Sequence, residues 1–476
     1  MPSDIGVVGL GVMGRNLALN IADHAFRVAV YNHTRARTET FMQGVEERHS
    51  FQPCYDYASL CAELESPRVI LIMVTAGSVV DQVIAELLPH LDPGDVLIDG
   101  GNSFYKDTER RFAELRGQGI RFLGMGVSGG EEGARHGPSM MPGGDPEAWP
   151  LVKRIFQSIA ARADDGEPCC RWVGEGGAGH YVKMVHNGIE YGDMQLIAEA
   201  WQLLDQGLGL AEEEVAATFS HWNQGPLSSY LIDITARILR VREADGSLRV
   251  RHILDSAGQK GTGRWTAIDA LQLGVPLTLI AEAVYARALS AHKTERQQAA
   301  ARFAAERPPW GGSVAEAVEA VHDALYAAKI ISYAQGFMQM REAAREYGWN
   351  LAFGDIALLW RAGCIIRSRF LNDIKRAYER QPELDNLLFD EFFSDAIRKA
   401  EHGWREAVRL GVALGVPLPA LSSALAFYDG YRSEFLPANL LQAQRDYFGA
   451  HTYRRLDRPE EVFHTYWTDD TREEPL

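Results

Sequence analysis

The sequence predicts an α/β domain on a parallel sheet, then a large all-α domain with an internal duplication, then a C-terminal tail. Three observations predict it. Short apolar strands alternate with amphipathic helices in the first part, strand signal nearly vanishes from about Gly177 onward, and a heptapeptide in the helical part recurs further along. The implied boundaries are 1–176, 177–430 and 431–476.

The strands are expected at Ile5 to Gly9, Arg27 to Tyr31, Val69 to Val74, Val96 to Asp99 and Arg121 to Gly124. Continuous apolar strands separated by helices belong to a parallel sheet covered on both faces. Gly9-x-Gly11-x-x-Gly14 follows the first strand directly and opens a helix, with Leu10, Val12 and Met13 between the glycines. Such glycines permit a tight turn, close backbone approach to a pyrophosphate and close helix-to-strand packing. The anion sits at the helix N-terminus, so the first domain reads as Rossmann-type. After the second strand, where NAD enzymes carry a carboxylate for the ribose hydroxyls, the chain has Asn32, His33 and Thr34, then Arg35. No negative charge there repels a 2′-phosphate, which favours NADP. Val74, Thr75 and Ala76, at the end of the next expected strand, are the usual next contact for a dinucleotide.

In the helical domain, Ser228-Ser-Tyr-Leu-Ile-Asp-Ile234 recurs as Ser368-Arg-Phe-Leu-Asn-Asp-Ile374, preceded by Trp222 and Trp360 at nearly the same offset. Two copies of one helical unit are expected. Upstream of the first copy, Lys183, His186, Asn187, Glu190 and Tyr191 fall at i, i+3, i+4, i+7 and i+8. At about 100° per residue they share one arc of roughly 140°. Burying that many polar groups without partners is unfavourable by several kcal/mol, so the face reads as a reaction site, with a solvated surface face as the plain alternative. Lys329 to Gln339 falls where this helix should recur, and the Lys, His, Asn and Glu set does not recur there. The tail reads as loop-rich with an acidic end. Its Tyr447, Phe448, Tyr453, Phe463, Tyr466 and Trp467 call for a surface to bury against, that of a second subunit among the candidates.

At 476 residues and 46% hydrophobic content the chain can build two or three packed domains. Its net charge of −16 repels nucleic acid and anionic membrane surfaces, so neither is expected as a partner and an anionic ligand needs local cations. Five cysteines without metal spacing fit a reducing compartment, and the longest apolar run, Val69 to Val74, is far too short to cross a bilayer. With no signal-peptide pattern, cytoplasm is the expected location.

Taken together, these segments resemble the 6-phosphogluconate dehydrogenases, decarboxylating enzymes of the pentose phosphate pathway, over essentially the whole chain. The resemblance rests on G-L-G-V-M-G-R-N (Gly9 to Asn16), D-G-G-N-S (Asp99 to Ser103), the Gly126 to Gly144 run and K-M-V-H-N-G-I-E-Y-G-D-M-Q (Lys183 to Gln195). It continues through I-L-D-S-A-G-Q-K-G-T-G-R-W (Ile253 to Trp265), W-R-A-G-C-I-I-R-S (Trp360 to Ser368) and A-Q-R-D-Y-F-G-A-H-T-Y (Ala443 to Tyr453). It implies NADP on Gly9 to Gly14, Asn32 to Thr34, Val74 to Ala76 and Asn102. It implies a phosphorylated sugar acid at Asn102, Ser128, Gly129, Gly130, His186, Asn187, Tyr191, Lys260, Arg287, Arg445 and His451. The last two reach in from the other subunit of a homodimer with shared sites. His33 stands where the family usually has Arg and Thr75 where it usually has Lys. Both changes remove positive charge near the cofactor, so NAD use is admitted unless Arg35 or Arg37 compensates.

The implied substrate carries a carboxylate at C1 and a hydroxyl at C3, so removing hydride from C3 makes a β-keto acid. Such an acid loses CO2 with only a polarised ketone as electron sink, and no metal is expected. Lys183 is expected to be the general base, neutral at the start, and Glu190 the general acid, holding its proton near neutral pH. Lys260, Arg287 and Arg445 are candidates for the substrate phosphate. Ser128 to Gly130, read as a flexible loop rich in exposed backbone N–H, suits the carboxylate. Two other readings stand beside this one: a β-hydroxyacid dehydrogenase that does not decarboxylate, and a catalytically silent NADP-binding interaction protein.

Overall fold

The computed structural model describes every residue except 46–49, 304–309, 469–471 and 476. The chain forms two compact units, Met1–Ala424 and Leu425–Leu476.

In the first unit an eight-stranded sheet contains β1 (Ile5–Val8), β2 (Val28–Tyr31), β3 (Phe51–Cys54), β4 (Val69–Ile72), β5 (Val96–Asp99), β6 (Arg121–Ser128), β7 (Ser139–Gly144) and β8 (Gly174–Glu175). The order is β3-β2-β1-β4-β5-β6-β7-β8. The strands β1 to β6 run parallel, β7 is antiparallel to β6, and β8 is parallel to β7. Alternate residues face opposite layers: Val7, Val28, Val30, Leu71 and Ile98 join one core, Val8, Ala29, Ile70, Ile72 and Leu97 the other. That explains why β1, β2, β4 and β5 are buried at every position.

Three strands were not read from the sequence. F-Q-P-C makes β3, where Pro53 is tolerated because β3 is an edge strand. S-M-M-P-G-G makes β7, whose proline and glycines look like a turn until β6 supplies pairing, and β8 is only two residues long. The expected strand ending at Gly124 runs on to Ser128, which pairs with Ser139. Ser128 is therefore a strand residue, 3% exposed, and not part of a flexible loop. The strand expected to reach Val74 ends at Ile72, leaving Val74, Thr75 and Ala76 in the turn beyond β4.

The helices used below are α1 (Val12–Asp23), α2 (Arg35–Gln43), α3 (Tyr105–Arg116), α4 (Ala178–Gln202), α5 (Thr262–Leu273), α6 (Thr278–Ala291), α7 (Val314–Tyr347) and α8 (Glu391–Leu414). The start of α4 lies tight on the sheet: a Cβ on Gly179 would meet Gly124 O at 2.1 Å, and one on Gly126 would meet Lys183 Cβ at 2.3 Å. The α4 and α7 helices cross through small residues. Added Cβ atoms would sit 2.6 Å from Ser332 Oγ at Gly192 and 2.7 Å from Ile189 Cδ1 at Gly336. The stretch Lys329 to Gln339 belongs to α7 and is almost wholly buried. The repeated segments meet each other: Tyr230 N donates to Arg367 O and Arg369 N to Ser228 O, each at 3.1 Å, around an antiparallel Ser229–Ser368 bridge. That reciprocal pairing is one residue out of step with the sequence alignment.

The second unit contains α9 (Ala438–Gly449) and a three-stranded antiparallel sheet of β9 (Tyr453–Arg454), β10 (Val462–Thr465) and β11 (Glu473–Pro475), in the order β11-β10-β9. Instead of a loop-rich tail, it is a small fold around Asp446. This fully buried carboxylate accepts from Thr452 N at 2.9 Å, Thr465 N at 3.0 Å and Trp467 Nε1 at 2.9 Å. Phe463 is buried, whereas Tyr447 and Phe448 remain exposed. Part of the expected acidic end, 469–471 and 476, lies outside the described residues.

Candidate active site

The three glycines after β1 have different duties. Gly9 has φ +100°, and a Cβ there would lie 2.4 Å from Met73 O; one at Gly14 would lie 1.9 Å from Gly9 O. Gly11 faces nothing within 4 Å, so the missing side chain leaves an open cradle at the start of α1. Two glycines for packing and one for an approaching ligand fit a dinucleotide pyrophosphate. Asn32, buried at the end of β2, ties this loop down by accepting from Leu10 N at 3.0 Å and donating to Thr34 O at 3.3 Å. His33, Thr34 and Thr75 are exposed, as are Arg35 and Arg37. Arg35 pairs with Glu39 at 2.8 Å and lies over the Tyr55 ring at 4.3 Å. After β5, Asp99 accepts from Gly101 N at 3.0 Å and Ser103 Oγ at 2.5 Å, which stiffens the turn that presents the exposed Asn102.

The polar arc of α4 is buried and not a solvated face, apart from the half-buried Glu190. Lys183 is 6% exposed, His186 0%, Asn187 8% and Tyr191 6%. Lys183 Nζ donates to Asn187 Oδ1 at 2.8 Å and lies 3.3 Å from His186 Nδ1. His186 Nδ1 is 3.1 Å from Asn187 Oδ1, and Nε2 is 3.3 Å from Ser128 Oγ. Burial, reinforced by Lys183, pushes the imidazole pKa well below its ordinary value. A neutral ring protonated at Nδ1 then donates to Asn187 and accepts from Ser128.

Lys183 and Glu190 are shifted in opposite senses. Burial lowers the pKa of the Lys183 amine, against the raising effect of Glu190 and Cys364. Burial raises that of the Glu190 carboxyl, against Lys183 and Arg287 and with Asp193. The Glu190 carboxyl makes no hydrogen bond among the described residues, which leaves it free for a ligand. Cys364, which sequence reasoning passed over, donates to Trp360 O at 3.0 Å, and burial pushes its thiol up to about 12 despite Lys183.

Arg287 on α6 lies 3.5 Å over the Tyr191 ring and donates to Gly258 O at 3.2 Å. Tyr191 in turn fills the space of a side chain at Gly263, 2.4 Å from its Cβ position. These contacts bring the loop of the exposed Lys260 to the Tyr191 end of the arc. Gly129 has φ +114° and its Cβ position is 2.6 Å from Gly363 O, while Gly130 opens a short exposed helix. Arg445 and His451 belong to the second unit and are exposed there. Among the described residues one group has donor atoms spaced for a metal, Glu319, His322 and Asp323, and it stands on α7, apart from these residues in the chain.

Sequence reasoning missed Tyr105, Tyr181 and Asp269, buried polar residues in hydrogen-bond contact with one another. Their only signal was a polar residue on a helical face that tertiary packing covers.

Profiles of two families match the chain: the NAD binding domain of 6-phosphogluconate dehydrogenase over residues 4–174, and the 6-phosphogluconate dehydrogenase C-terminal domain over residues 179–467. The chain is 56% identical over 466 residues to a decarboxylating 6-phosphogluconate dehydrogenase of Aggregatibacter actinomycetemcomitans, covering 98% of this chain and 96% of that protein. The human enzyme of that name is 54% identical over 467 residues, covering 98% and 97%. A solved Plasmodium falciparum 6-phosphogluconate dehydrogenase, described in apo form and in complex with its cofactor NADP+ and its substrate 6-phosphogluconate, is 42% identical. It superposes with a TM-score of 0.95 over 98% of this chain and 100% of that one.

Proposed function

The chain belongs to the 6-phosphogluconate dehydrogenase family, and on that premise we propose that the buried polar arc of α4 is where its reaction takes place. The enzyme oxidises and decarboxylates 6-phosphogluconate to ribulose 5-phosphate and CO2 with NADP. The observation that carries the assignment of roles is the placing of a buried amine and an unbonded carboxyl on one helix face: Lys183, 6% exposed, is held at 2.8 Å by the neutral Asn187 amide, and burial displaces the two pKa values in opposite senses, Lys183 down and Glu190 up.

Lys183, neutral at the start, takes the proton of the C3 hydroxyl. Gly9 to Gly14, Asn32 to Thr34, Val74 to Ala76 and Asn102 would hold NADP, which would supply the acceptor for the C3 hydride. The Lys183 ammonium then holds the new C3 carbonyl oxygen, so the electrons of the C1–C2 bond move toward C3 as CO2 departs. Glu190 delivers its proton to the carbon that lost CO2, which becomes C1 of the product. Asn187 and His186 orient the amine, and Ser128, Gly129 and Gly130 receive the carboxylate. Tyr191, Lys260 and Arg287 hold the phosphate, with Asn102 between substrate and cofactor.

Arg445 and His451 complete the site of a second copy in a homodimer. The exposed Tyr447 and Phe448 beside them support a surface meant for a partner. Mixing Arg445→Ala with Lys183→Ala subunits restores activity if sites are shared, because one composite site is then intact; no rescue counts against sharing. Five free buried cysteines support a reducing compartment, the cytoplasm. Among the described residues no helix is long and apolar enough to cross a membrane.

The activity is tested by adding 6-phosphogluconate and NADP and following reduced cofactor and CO2 together. Reduced cofactor without CO2 would indicate a non-decarboxylating dehydrogenase, and neither product a silent binding protein.

A further inference from the structure

Three helices start beside different parts of the site. The α3 helix begins just past Asn102, α4 carries Lys183, and α5 follows the Lys260 loop. One carboxylate joins all three. Asp269 on α5, 2% exposed, accepts from Tyr105 Oη of α3 at 2.5 Å through Oδ1 and from Tyr181 Oη of α4 at 2.6 Å through Oδ2. Tyr105 Oη also lies 2.7 Å from Tyr347 Oη of α7. Burial and the neighbouring carboxylate raise both phenol pKa values, so the two rings stay donors.

The same stretch of α3 grips its neighbours at further points. Glu109 Oε2 accepts from Gly177 N at 2.6 Å, immediately before α4 begins. Thr108 Oγ1 is 2.7 Å from Nδ1 of the buried His180, one turn before Lys183. Lys106 Nζ donates to Gln272 on α5 at 3.1 Å. Tyr181 precedes Lys183 by two residues, so a slip of α4 against Asp269 carries the amine with it.

We propose that Asp269 is a positioning residue for hydride removal, holding the Asn102 turn and the Lys260 loop in fixed relation to Lys183 through its two phenol partners. Hydrogen bonds to a buried carboxylate are short and narrow in geometry, and breaking one leaves a buried polar group unpaired. Alignment is what the reaction needs: reacting atoms must be held near attack distance, and a displacement of about 1 Å lowers the rate about 100-fold. The proposal rests on the reading of Lys183 and Asn102 as site residues.

The test begins with turnover of 6-phosphogluconate by the unaltered enzyme; failure there counts against the assigned activity and not against Asp269. Asp269→Asn keeps the shape but places an amide nitrogen where one phenol needs an acceptor. The expected result is a fall in kcat of roughly 10- to 100-fold with little change in KM or in the Kd for NADP. The isotope effect with substrate deuterated at C3 is expected to rise. In cofactor-free protein, amide exchange at residues 100–103 is expected to quicken. Should Asp269→Asn not fold, Tyr181→Phe decides, with a smaller fall in the same direction. Unchanged kcat and exchange, or a loss carried by KM alone, overturns the proposal whatever happens to the melting temperature.

Discussion

Asn187 Oδ1 accepts from Lys183 Nζ at 2.8 Å, so the buried amine is held by a neutral carbonyl and not by a carboxylate. A neutral partner leaves the lowering effect of burial largely in force, whereas an ion pair would raise the pKa and keep the amine protonated. Lys183→Ala is therefore expected to abolish turnover while the Kd for reduced cofactor changes only a few-fold. Activity near that of the unaltered enzyme would remove Lys183 as the base.

The Glu190 charge raises the Lys183 pKa, and Lys183 lowers that of Glu190. A base must be deprotonated to act, so activity rises with pH through the Lys183 pKa. An acid must be protonated, so activity falls with pH above the Glu190 pKa. Glu190→Gln removes the alkaline limb and, because Glu190 is protonated and uncharged where Lys183 titrates, leaves the acid limb of kcat/KM close to its place. An alkaline limb that persists contradicts Glu190 as the acid.

Lys329 Nζ lies 2.6 Å from Asp193 Oδ2, with the two side chains 0% and 1% exposed. Among the described residues Asp193 Oδ1 has no hydrogen-bond partner, so the carboxylate depends on one amine. Lys329→Met strands a buried charge and should lower unfolding stability by about 3–5 kcal/mol, while adding Asp193→Asn should recover much of it. Urea unfolding of the single and double variants measures this, and additive losses would contradict it.

Cofactor choice is expected to turn on the exposed residues that follow β2. His33→Arg restores a fixed charge and should raise the ratio of kcat/KM for NADP over NAD by about 10-fold, the value of a charge-assisted hydrogen bond of ~1.4 kcal/mol. Arg35→Ala combined with Arg37→Ala should bring the two cofactors close to parity. A ratio unmoved by either change would place discrimination elsewhere.

The polar arc was legible because a 3.6-residue period is local: Lys183, His186, Asn187, Glu190 and Tyr191 share a face in any α-helix. The parallel sheet was legible from four-residue apolar strands such as V-I-L-I. What could not be read arises from non-local pairing. Met140 and Met141 lie in a strand only because β6 is beside them, and that pairing also makes Ser128 rigid. Asp269 looks like a surface residue of α5 until Tyr105 and Tyr181, 164 and 88 positions away, arrive to cover it. The second unit looked like loops because its strands are two to four residues long and are organised by one buried carboxylate.

The division of proton transfer between Lys183 and Glu190 is tested most directly by running Glu190→Gln in D2O and reading the configuration at C1 of ribulose 5-phosphate by NMR. The unaltered enzyme should place one deuterium at C1 in a single configuration. Glu190→Gln should still form reduced cofactor and CO2, more slowly, and release an enediol that takes up deuterium from both faces. A single configuration at an undiminished rate would contradict Glu190 as the acid.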